Sequence, residues 1–487
     1  MRPGESRLAP GRALLWLILA ATAFRLVMAG TLGLGIDESY VVAAGRDFHL
    51  GYFDHPPAVW WLSAGIARLT GSEAAWVVRL PFIALAALST WLTYQLTALL
   101  FSRPAGLWAA TAFTLSPVLG VTTGGWVLPD GPLVCALLAA ACCLVQALPG
   151  RGWGWWLGAG LCAGLALMSK YTAGLVLAGA LVAIMTQPTH RHWLARPQPY
   201  VAALLALFLF LPELAWNAQH HWVSFAFQGG RAATRRFRPF GPLATLGGEA
   251  LFLLPWIWLG LIVNFLRGLR AGPSGWGPWL LCWLAFLPVT LFAVISFWST
   301  GVLFHWAAPG YLFLFPLLGV TLQSWRPARA WAAATAALLC LALLATATEL
   351  RWHWIAFFAP NADPALQALD WMPLRPALAA RGLLQGRPIA GPGWADTGKI
   401  SYALGGNPNV LCLNTDDREF GFGRTPADLV GQDILIVAPG LSSAQMQARY
   451  GAIFDSIETL APVTLGFPGR SGVTIPLFVG HHLRRWP

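Results

Sequence analysis

Runs of mostly apolar residues recur from residue 13 to residue 347 of this 487-residue chain, and they limit what it can fold into. A helix needs about 20 such residues to cross the ~30 Å of hydrocarbon in a bilayer. Lipid offers no hydrogen-bond partners, so each run is predicted to be a helix that satisfies its own backbone. The pattern predicts eleven spans, at residues 13–33, 76–100, 105–122, 131–148, 153–169, 171–187, 199–216, 246–266, 276–297, 307–323 and 330–347.

Composition leads to the same interpretation. Apolar residue types make up 57% of the chain and charged residues only 10%. A soluble domain is about a quarter charged, so this chain has too few charges to cover a soluble surface. The 27 Trp and 27 Phe residues suit a protein whose rings lie at the water–lipid boundary. An all-α polytopic membrane domain is therefore predicted.

The net charge of +11 does not indicate a nucleic-acid partner. Only Lys170 and Lys399 are lysines, and much of the arginine falls in short gaps between apolar runs. Arginine in such gaps marks the cytoplasmic side of a membrane protein. We therefore expect membrane lipids, and no nucleic acid, around the chain.

Charge also predicts the orientation of the spans. With the N-terminus inside, every cytoplasmic gap is basic, as the positive-inside rule requires. These gaps contain Arg103, Arg151, Arg191, Arg196, Arg267, Arg270, Arg326 and Arg329. Apart from Glu5, the acids before residue 349 fall on or near the other face, at Asp37, Glu38, Asp47, Asp54, Glu73, Asp130, Glu213 and Glu249. The first span could pass for a signal peptide that is cleaved after Ala21-Thr22-Ala23, but its apolar run continues past Arg25 to Gly33, which favours an anchor.

The composition changes after the last predicted span. Residues 349–487 contain eleven of the twenty acids together with several turn signals. Short β-type runs occur at Val410–Leu413, Asp433–Ala438 and Val473–Val479, and helix-compatible segments at 363–382 and 441–455. The chain is therefore divided into a membrane domain, residues 1–348, and a small α/β domain outside the membrane, residues 349–487.

The first outer loop contains the densest group of chemically useful residues. It begins Asp37-Glu38-Ser39-Tyr40 and continues with Gly51-Tyr52-Phe53-Asp54-His55-Pro56-Pro57. A carboxylate at the membrane surface is partly desolvated, which can raise its pKa toward that of a working base. The alternative is a solvated loop start, but the added His, second Asp and rigid Pro-Pro favour a functional site.

Three further residues are candidates for a functional site, and each also has a simpler explanation. Asp130 opens a span and is either a helix-capping acid or a member of a site. Lys170 lies between two spans and either extends to the membrane surface or contacts an anion. Arg231 belongs to a basic outer loop that binds either a phosphate or anionic lipid headgroups. His305 is expected to be a buried, satisfied histidine.

These residues together resemble a known family. Six motifs occur in the order typical of bacterial membrane glycosyltransferases of the protein O-mannosyltransferase (family 39) type. They are Asp37-Glu38 to Tyr40, Gly51 to Pro57, Pro129 to Pro132, Leu167 to Tyr171, Pro212 to Asn217, and Arg231. The aminoarabinose transferase of lipid A is a relative of that group. The resemblance implies the type C glycosyltransferase fold, a polyprenyl-phosphate sugar donor and the bacterial inner membrane.

The resemblance also implies roles for the candidates. Asp37 would be the catalytic base of an inverting transfer to a hydroxyl or amine of a glycolipid, polysaccharide or protein acceptor. The leaving phosphate needs cations rather than a general acid. The residues implied to bind substrate are Glu38, Tyr40, Asp54, His55, Asp130, Lys170 and Arg231, with Lys170 and Arg231 as the cations. Asp54 and His55 would shape the pocket or hold a divalent metal ion.

Two other functions stay open at this point. A secondary transporter for a sugar or lipid-linked intermediate is the main alternative, and a purely structural membrane anchor is the next. Transporters usually place ionisable groups near the bilayer midplane and contain internal repeats. Here the acids cluster at one face and no repeat is apparent, which favours the transferase.

Overall fold

The structure is a computed structural model that describes residues 10–232, 236–355, 368–422, 426–467 and 470–486. Its α-helices are α1 Pro10–Thr31, α2 Ile36–Ala44, α3 Ala58–Thr70, α4 Ala75–Leu100, α5 Arg103–Thr114, α6 Thr123–Gly125, α7 Asp130–Ala147, α8 Trp153–Leu167, α9 Ala173–Thr186, α10 Pro197–Gln219, α11 Val223–Ala232, α12 Gly241–Leu253, α13 Pro255–Ala271, α14 Trp276–Ile295, α15 Ala308–Tyr311, α16 Phe315–Ser324, α17 Ala328–Trp352, α18 Leu374–Ala379, α19 Trp394–Ala403 and α20 Ser443–Tyr450. Its strands are β1 Ile389–Gly391, β2 Val410–Cys412, β3 Ile434–Val437, β4 Phe454–Phe467 and β5 Arg470–Leu483.

The helices identify a multi-pass membrane protein. Six helices in the described residues are long and apolar enough to cross a membrane, namely α1, α4, α7, α10, α14 and α17. Two bent helix pairs raise the number to eight if each pair is one span. Every predicted span overlaps at least one helix, but the predicted number of eleven spans is not confirmed.

Two of the spans predicted as continuous are bent. Helix α5 is followed by a π-helical segment, Pro117–Thr122, and the pair is bent by 82°. Helices α12 and α13 meet at Leu254, which has a φ of 74°, and are bent by 114°. A proline follows each break, and proline both lacks an N–H and disfavours the α conformation in the residue before it. Apolar composition alone does not reveal such breaks.

A buried arginine stabilises the first bend. Arg25 of α1 donates through Nε and a terminal nitrogen to the carbonyl of Gly120, at 3.0 and 2.7 Å. A carbonyl that leaves the regular helix pattern needs another donor when water is absent. Arg25 supplies such a donor within the π-helical segment, although it lies in an apolar helix and is buried.

The described residues form two compact units. The first comprises those within Met1–Met28, His49–Val59 and Arg79–Leu339, and the second those within Ala29–Phe48, Trp60–Val78 and Cys340–Pro487. The second unit therefore combines the C-terminal segment with parts of the first outer loop. The predicted domains, 1–348 and 349–487, stay a prediction. Their boundary was placed at the end of the last predicted span, whereas the two units are defined by contacts between residues.

The first unit is a helical body with one large apolar core. Within it α7 packs on α8, α8 on α10, α5 on α16, and α9 on α14. Glycine permits the closest approaches: a Cβ at Gly160 would lie 2.4 Å from the Ala202 carbonyl, and one at Gly179 would lie 2.1 Å from the Trp283 carbonyl. Small residues at helix contacts are the usual means of packing within a membrane.

The second unit contains a five-stranded sheet in the order β2-β1-β3-β5-β4. Strand β1 is parallel to β2 and β3, whereas β5 is antiparallel to β3 and β4. The strands β2, β3 and β5 overlap the predicted β-type runs, and α20 overlaps the predicted segment 441–455. The start of the predicted segment 363–382 lies outside the described residues, and α18 occupies part of the remainder.

Candidate active site

The first unit contains a cavity of about 180 Å³. A mainly apolar wall with a few convergent polar groups is the usual form of a ligand site. The residues that line it are His55, Lys170, Tyr171, Thr172, Leu175, Gln228, Phe292 and Trp306. Two of them, His55 and Lys170, were predicted as site residues from the sequence.

A buried ion pair lies at this cavity. Lys170, between α8 and α9, is only 4% exposed, and its Nζ donates to both carboxylate oxygens of Asp130 at 2.9 and 3.0 Å. Lys170 therefore does not extend to solvent, as the plainer interpretation required. Asp130 lies in the first turn of α7, where a negative charge is favourable, but its carboxylate is bound by Lys170. Each charge compensates the desolvation of the other.

A second cation lies beside the cavity wall. The guanidinium carbon of Arg231 is 4.7 Å from the ring centre of Trp306, which lines the cavity, and 5.5 Å from that of Phe227. Burial lowers the pKa of His305 to about 4. The nearby charges of Lys170 and Arg231 also lower this pKa, whereas that of Asp130 raises it. His305 is thus neutral at pH 7. Lys170 and Arg231 thus supply two cations at or beside the cavity, and such cations suit an anionic ligand.

A buried carboxylate connects the segments that form the cavity. Glu213 of α10 accepts hydrogen bonds through Oε1 from the Tyr171 hydroxyl and from Nδ2 of Asn217, the latter at 2.7 Å. The Asn217 side-chain oxygen accepts from the Ser224 N–H at 3.2 Å, and the Ser224 hydroxyl donates to the Tyr52 carbonyl at 2.6 Å. One buried acid therefore joins the turn after Lys170 to α11 and to the first outer loop.

The loop that leads to His55 packs closely on the same carboxylate. A Cβ at Gly51 would lie 2.4 Å from Oε2 of Glu213, so only glycine fits there without rearrangement. Gln228 of α11 donates to the carbonyl of Asp54. These contacts fix the backbone on both sides of residues 52 and 53. The position of His55 in the cavity wall follows from them.

The remaining predicted residues lie in the second unit, on α2. Asp37 is in the first turn of this helix and its side chain is exposed. Glu38 is 1% exposed, and its Oε2 accepts the N–H of Gly35 at 2.8 Å, which closes the start of the helix. Tyr40 is buried and packs edge-on against Trp394 at 5.5 Å. The predicted cavity shared by Asp37 and the residues of the first unit stays a prediction.

The divalent metal ion predicted at Asp54 and His55 stays a prediction. In the ranges that the structure describes, no group of three or more His, Cys, Asp or Glu side chains could hold one. Asp54 and His55 supply two ligands, whereas catalytic metal sites commonly have three from the protein.

Sequence reasoning missed several residues of the site. Tyr171 and Glu213 each had a signal: Tyr171 follows Lys170 directly, and Glu213 is an acid within an apolar span, which usually marks function. Gln228 and Trp306 had none, because polar and aromatic residues are common beside spans. Their place in the cavity wall depends on how α11 and the segment before α15 pack.

The fold is that of type C membrane glycosyltransferases. Over 97% of this chain, the structure matches that of ArnT from Cupriavidus metallidurans in the apo state, with a TM-score of 0.66, 14% identity and 98% of that chain covered. The structure of ArnT from the same organism bound to undecaprenyl phosphate gives a TM-score of 0.63 at 17% identity, with 97% of this chain and 98% of that chain covered. These two matches establish the fold.

Sequence comparisons confirm the resemblance predicted from the motifs. Residues 54–216 match the family model described as dolichyl-phosphate-mannose-protein mannosyltransferase. A lipid A galacturonosyltransferase of Rhizobium johnstonii is 26% identical over 320 residues, which cover 62% of this chain. The matched part spans 63% of the length of that relative. The matched family range contains Asp54, His55, Asp130 and Lys170 of the candidate site.

Proposed function

We propose that this protein transfers a sugar from a polyprenyl-phosphate donor to a hydroxyl or amine of an acceptor, with inversion. The observation that carries the proposal is the buried cation Lys170 in the wall of a largely apolar cavity. Burial of the Lys170 ammonium costs desolvation free energy. In this proposal, Asp130 and an anionic ligand together offset that cost. The similarity to ArnT bound to undecaprenyl phosphate supports a lipid phosphate as that ligand.

The proposed chemistry assigns each charged residue a distinct task. Lys170 and Arg231 stabilise the phosphate that leaves the anomeric carbon, and preorganised cations in a water-poor site do this most effectively. Because the phosphate departs as a stable anion, no general acid is needed. Asp37 removes a proton from the acceptor group while that group attacks the anomeric carbon from the face opposite to the phosphate. Glu38, Tyr40, Asp54, His55 and Asp130 hold the residues and substrates around this reaction.

The proposed acceptor is a glycolipid of the cell envelope, with lipid A first. The relative from Rhizobium johnstonii is a lipid A galacturonosyltransferase, which supports this choice. A polysaccharide or protein acceptor is the alternative. We also propose the bacterial inner membrane, with a cytoplasmic N-terminus and the α/β segment in the periplasm, from the opposed placement of arginine and acids.

An assay with labelled donors tests the function and the orientation together. Membranes containing the protein should transfer label from one member of a panel of polyprenyl-phosphate sugars to added lipid A. With lipid A added only to the outside, sealed right-side-out vesicles should transfer label to it, and sealed inverted vesicles should not. Transport of the intact donor without a new glycosidic bond would replace the transferase by the transporter alternative.

The contacts of Glu213 give a second prediction. Replacing Glu213 with Leu removes the acceptor for both Tyr171 and Asn217, so the cavity wall should shift. A misplacement of about 1 Å in a site can cost about 10² in rate, and we expect a loss of that order in transfer. Glu213→Gln keeps one oxygen acceptor and should stay within about threefold of the parent protein, since the acceptor geometry is unchanged. Initial rates per folded molecule would measure both.

A second buried glutamate provides the matched control. Glu249 accepts a hydrogen bond from Tyr311 at 2.6 Å, and neither residue lines the cavity. Glu249→Leu should lower thermal stability in a similar way but leave the rate per folded molecule close to normal. An equal loss of rate in Glu249→Leu would reduce Glu213 to a general stabilising residue. A Glu213→Gln protein as slow as Glu213→Leu would show that the charge itself is required.

A further inference from the structure

Lys399, one of the two lysines of the chain, makes unusual contacts in the second unit. It is 4% exposed, and its Nζ donates to the backbone carbonyls of Leu34 at 2.6 Å and Leu369 at 2.9 Å. Leu34 directly precedes Gly35, the N-cap residue of α2. The lysine of α19 therefore binds the chain at the point where it enters the helix that carries Asp37.

The middle of α2 is held by the same helix. A Cβ at Gly398 would lie 3.0 Å from Cα and 3.1 Å from the backbone nitrogen of Tyr40. A Cβ contact of 3.0–3.4 Å is tighter than nine in ten real ones, so α19 and α2 approach each other closely at this glycine. Tyr40 also packs against Trp394, the first residue of α19.

The C-terminal end of α2 has a third contact with α19. Arg46, just beyond this helix, donates to the carbonyl of Ser401 at 3.0 Å and to its hydroxyl at 3.1 Å. The same guanidinium forms two hydrogen bonds with Glu73, at 3.0 and 2.7 Å. Residues 398–401, about one turn of α19, thus contact the start and the middle of α2 and the residue just beyond its end.

Helix α2 needs such support. It has nine residues, and isolated helices shorter than about 12–15 residues are marginal in water. Its position is therefore determined by tertiary contacts rather than by its own stability. Asp37 lies in its first turn, three residues after Leu34. A shift of the entry to α2 would move this carboxylate directly.

We infer that α19 is a positioning element of the transferase, in which Gly398, Lys399 and Ser401 hold α2 and thereby fix Asp37. The inference rests on the proposed function, in which Asp37 is the base. It makes the C-terminal segment a part of the catalytic apparatus rather than an appendage to the membrane domain. Lys399 and Gly398 act through α2 and do not touch substrate.

The test compares Lys399→Met with a matched control. Lys399→Met keeps an unbranched side chain, one atom shorter, but removes the donors to both carbonyls. We expect kcat to fall by about 10- to 100-fold, the cost of a misplaced reacting group. The KM for the donor should change less than about threefold, since donor binding relies on other cations. Lys399→Arg keeps a cationic donor and should restore most of kcat. Arg381→Met is the control, because Arg381 also binds two backbone carbonyls, those of Ala461 and Pro462 at 2.6 and 2.9 Å, away from α2.

A pair of glycine variants covers the case in which Lys399→Met does not fold. Gly398→Ala places a methyl group against Tyr40, whereas Gly65→Ala, also inside a helix, places one where no neighbour lies within 4 Å. Only the first should lower kcat. Amide hydrogen exchange across residues 36–44 should rise in Lys399→Met and in Gly398→Ala, and stay unchanged in both controls.

The outcomes separate this inference from the proposed function. Normal kcat and normal exchange in Lys399→Met, while Asp37→Asn is inactive, would overturn the positioning role and leave the base in place. An active Asp37→Asn protein would remove the base, and the exchange data would then decide whether α19 still holds α2. A loss of kcat in Arg381→Met equal to that in Lys399→Met would also overturn the inference.

Discussion

Replacing Asp37 with Asn is expected to lower sugar transfer by a factor of about 10² or more, the usual scale for the loss of a general base. Asparagine keeps the shape of the side chain but cannot accept the acceptor's proton. Affinity for the donor should survive, because cations hold a lipid phosphate and this acid does not. Single-turnover transfer from a competent labelled donor, together with direct donor binding, would measure both effects.

The neighbouring acid provides the control for this substitution. Glu38 lies in the same helical turn, but it is buried and accepts the N–H of Gly35. Glu38→Gln keeps an oxygen acceptor and should cost only a small fraction of the activity. An equal loss in Glu38→Gln would leave the choice between the two acids undetermined. Near-normal turnover in Asp37→Asn would remove the base from the mechanism.

Hydropathy predicted a helical membrane domain, but it did not predict the bends, and the number of eleven spans is not confirmed. Every predicted span overlaps a helix, because lipid leaves an apolar run of this length no other regular structure. Proline does not by itself reveal the breaks. Pro117 and Pro255 follow sharp bends, whereas Pro81, Pro212 and Pro288 lie inside single helices. Packing around each proline decides between a tolerated residue and a broken span.

The candidate site was predictable as a set of segments but not as a set of contacts. Asp130 and Lys170 stood out singly, since ionisable residues beside apolar runs are uncommon. Their pairing depends on the packing of α7 against α8, which no local pattern encodes. The same limit applies to Lys399, whose only sequence signal was the rarity of lysine. Its two carbonyl partners are 30 and 365 residues away along the chain.

Lys170→Met is expected to abolish donor use, with transfer falling by about 10² or more through the loss of a charge-assisted phosphate contact in a water-poor site. An ammonium group has three N–H donors, and two of them bind Asp130. The third remains for a ligand in the cavity that Lys170 lines. The KM for the donor should rise along with the fall in kcat, which distinguishes this residue from Asp37.

Lys170→Met also leaves Asp130 as a buried charge without its partner, which costs about 3–5 kcal/mol of stability. The double variant Lys170→Met with Asp130→Leu resolves the ambiguity, because replacing a whole buried ion pair by apolar residues is often neutral. We expect the double variant to regain the melting temperature of the parent protein and to remain inactive, with weak binding of the polyprenyl phosphate. Recovery of transfer together with stability would show that the pair serves the fold alone. The phosphate would then have to be held by other cations, and Arg231 beside Trp306 would be the first to examine.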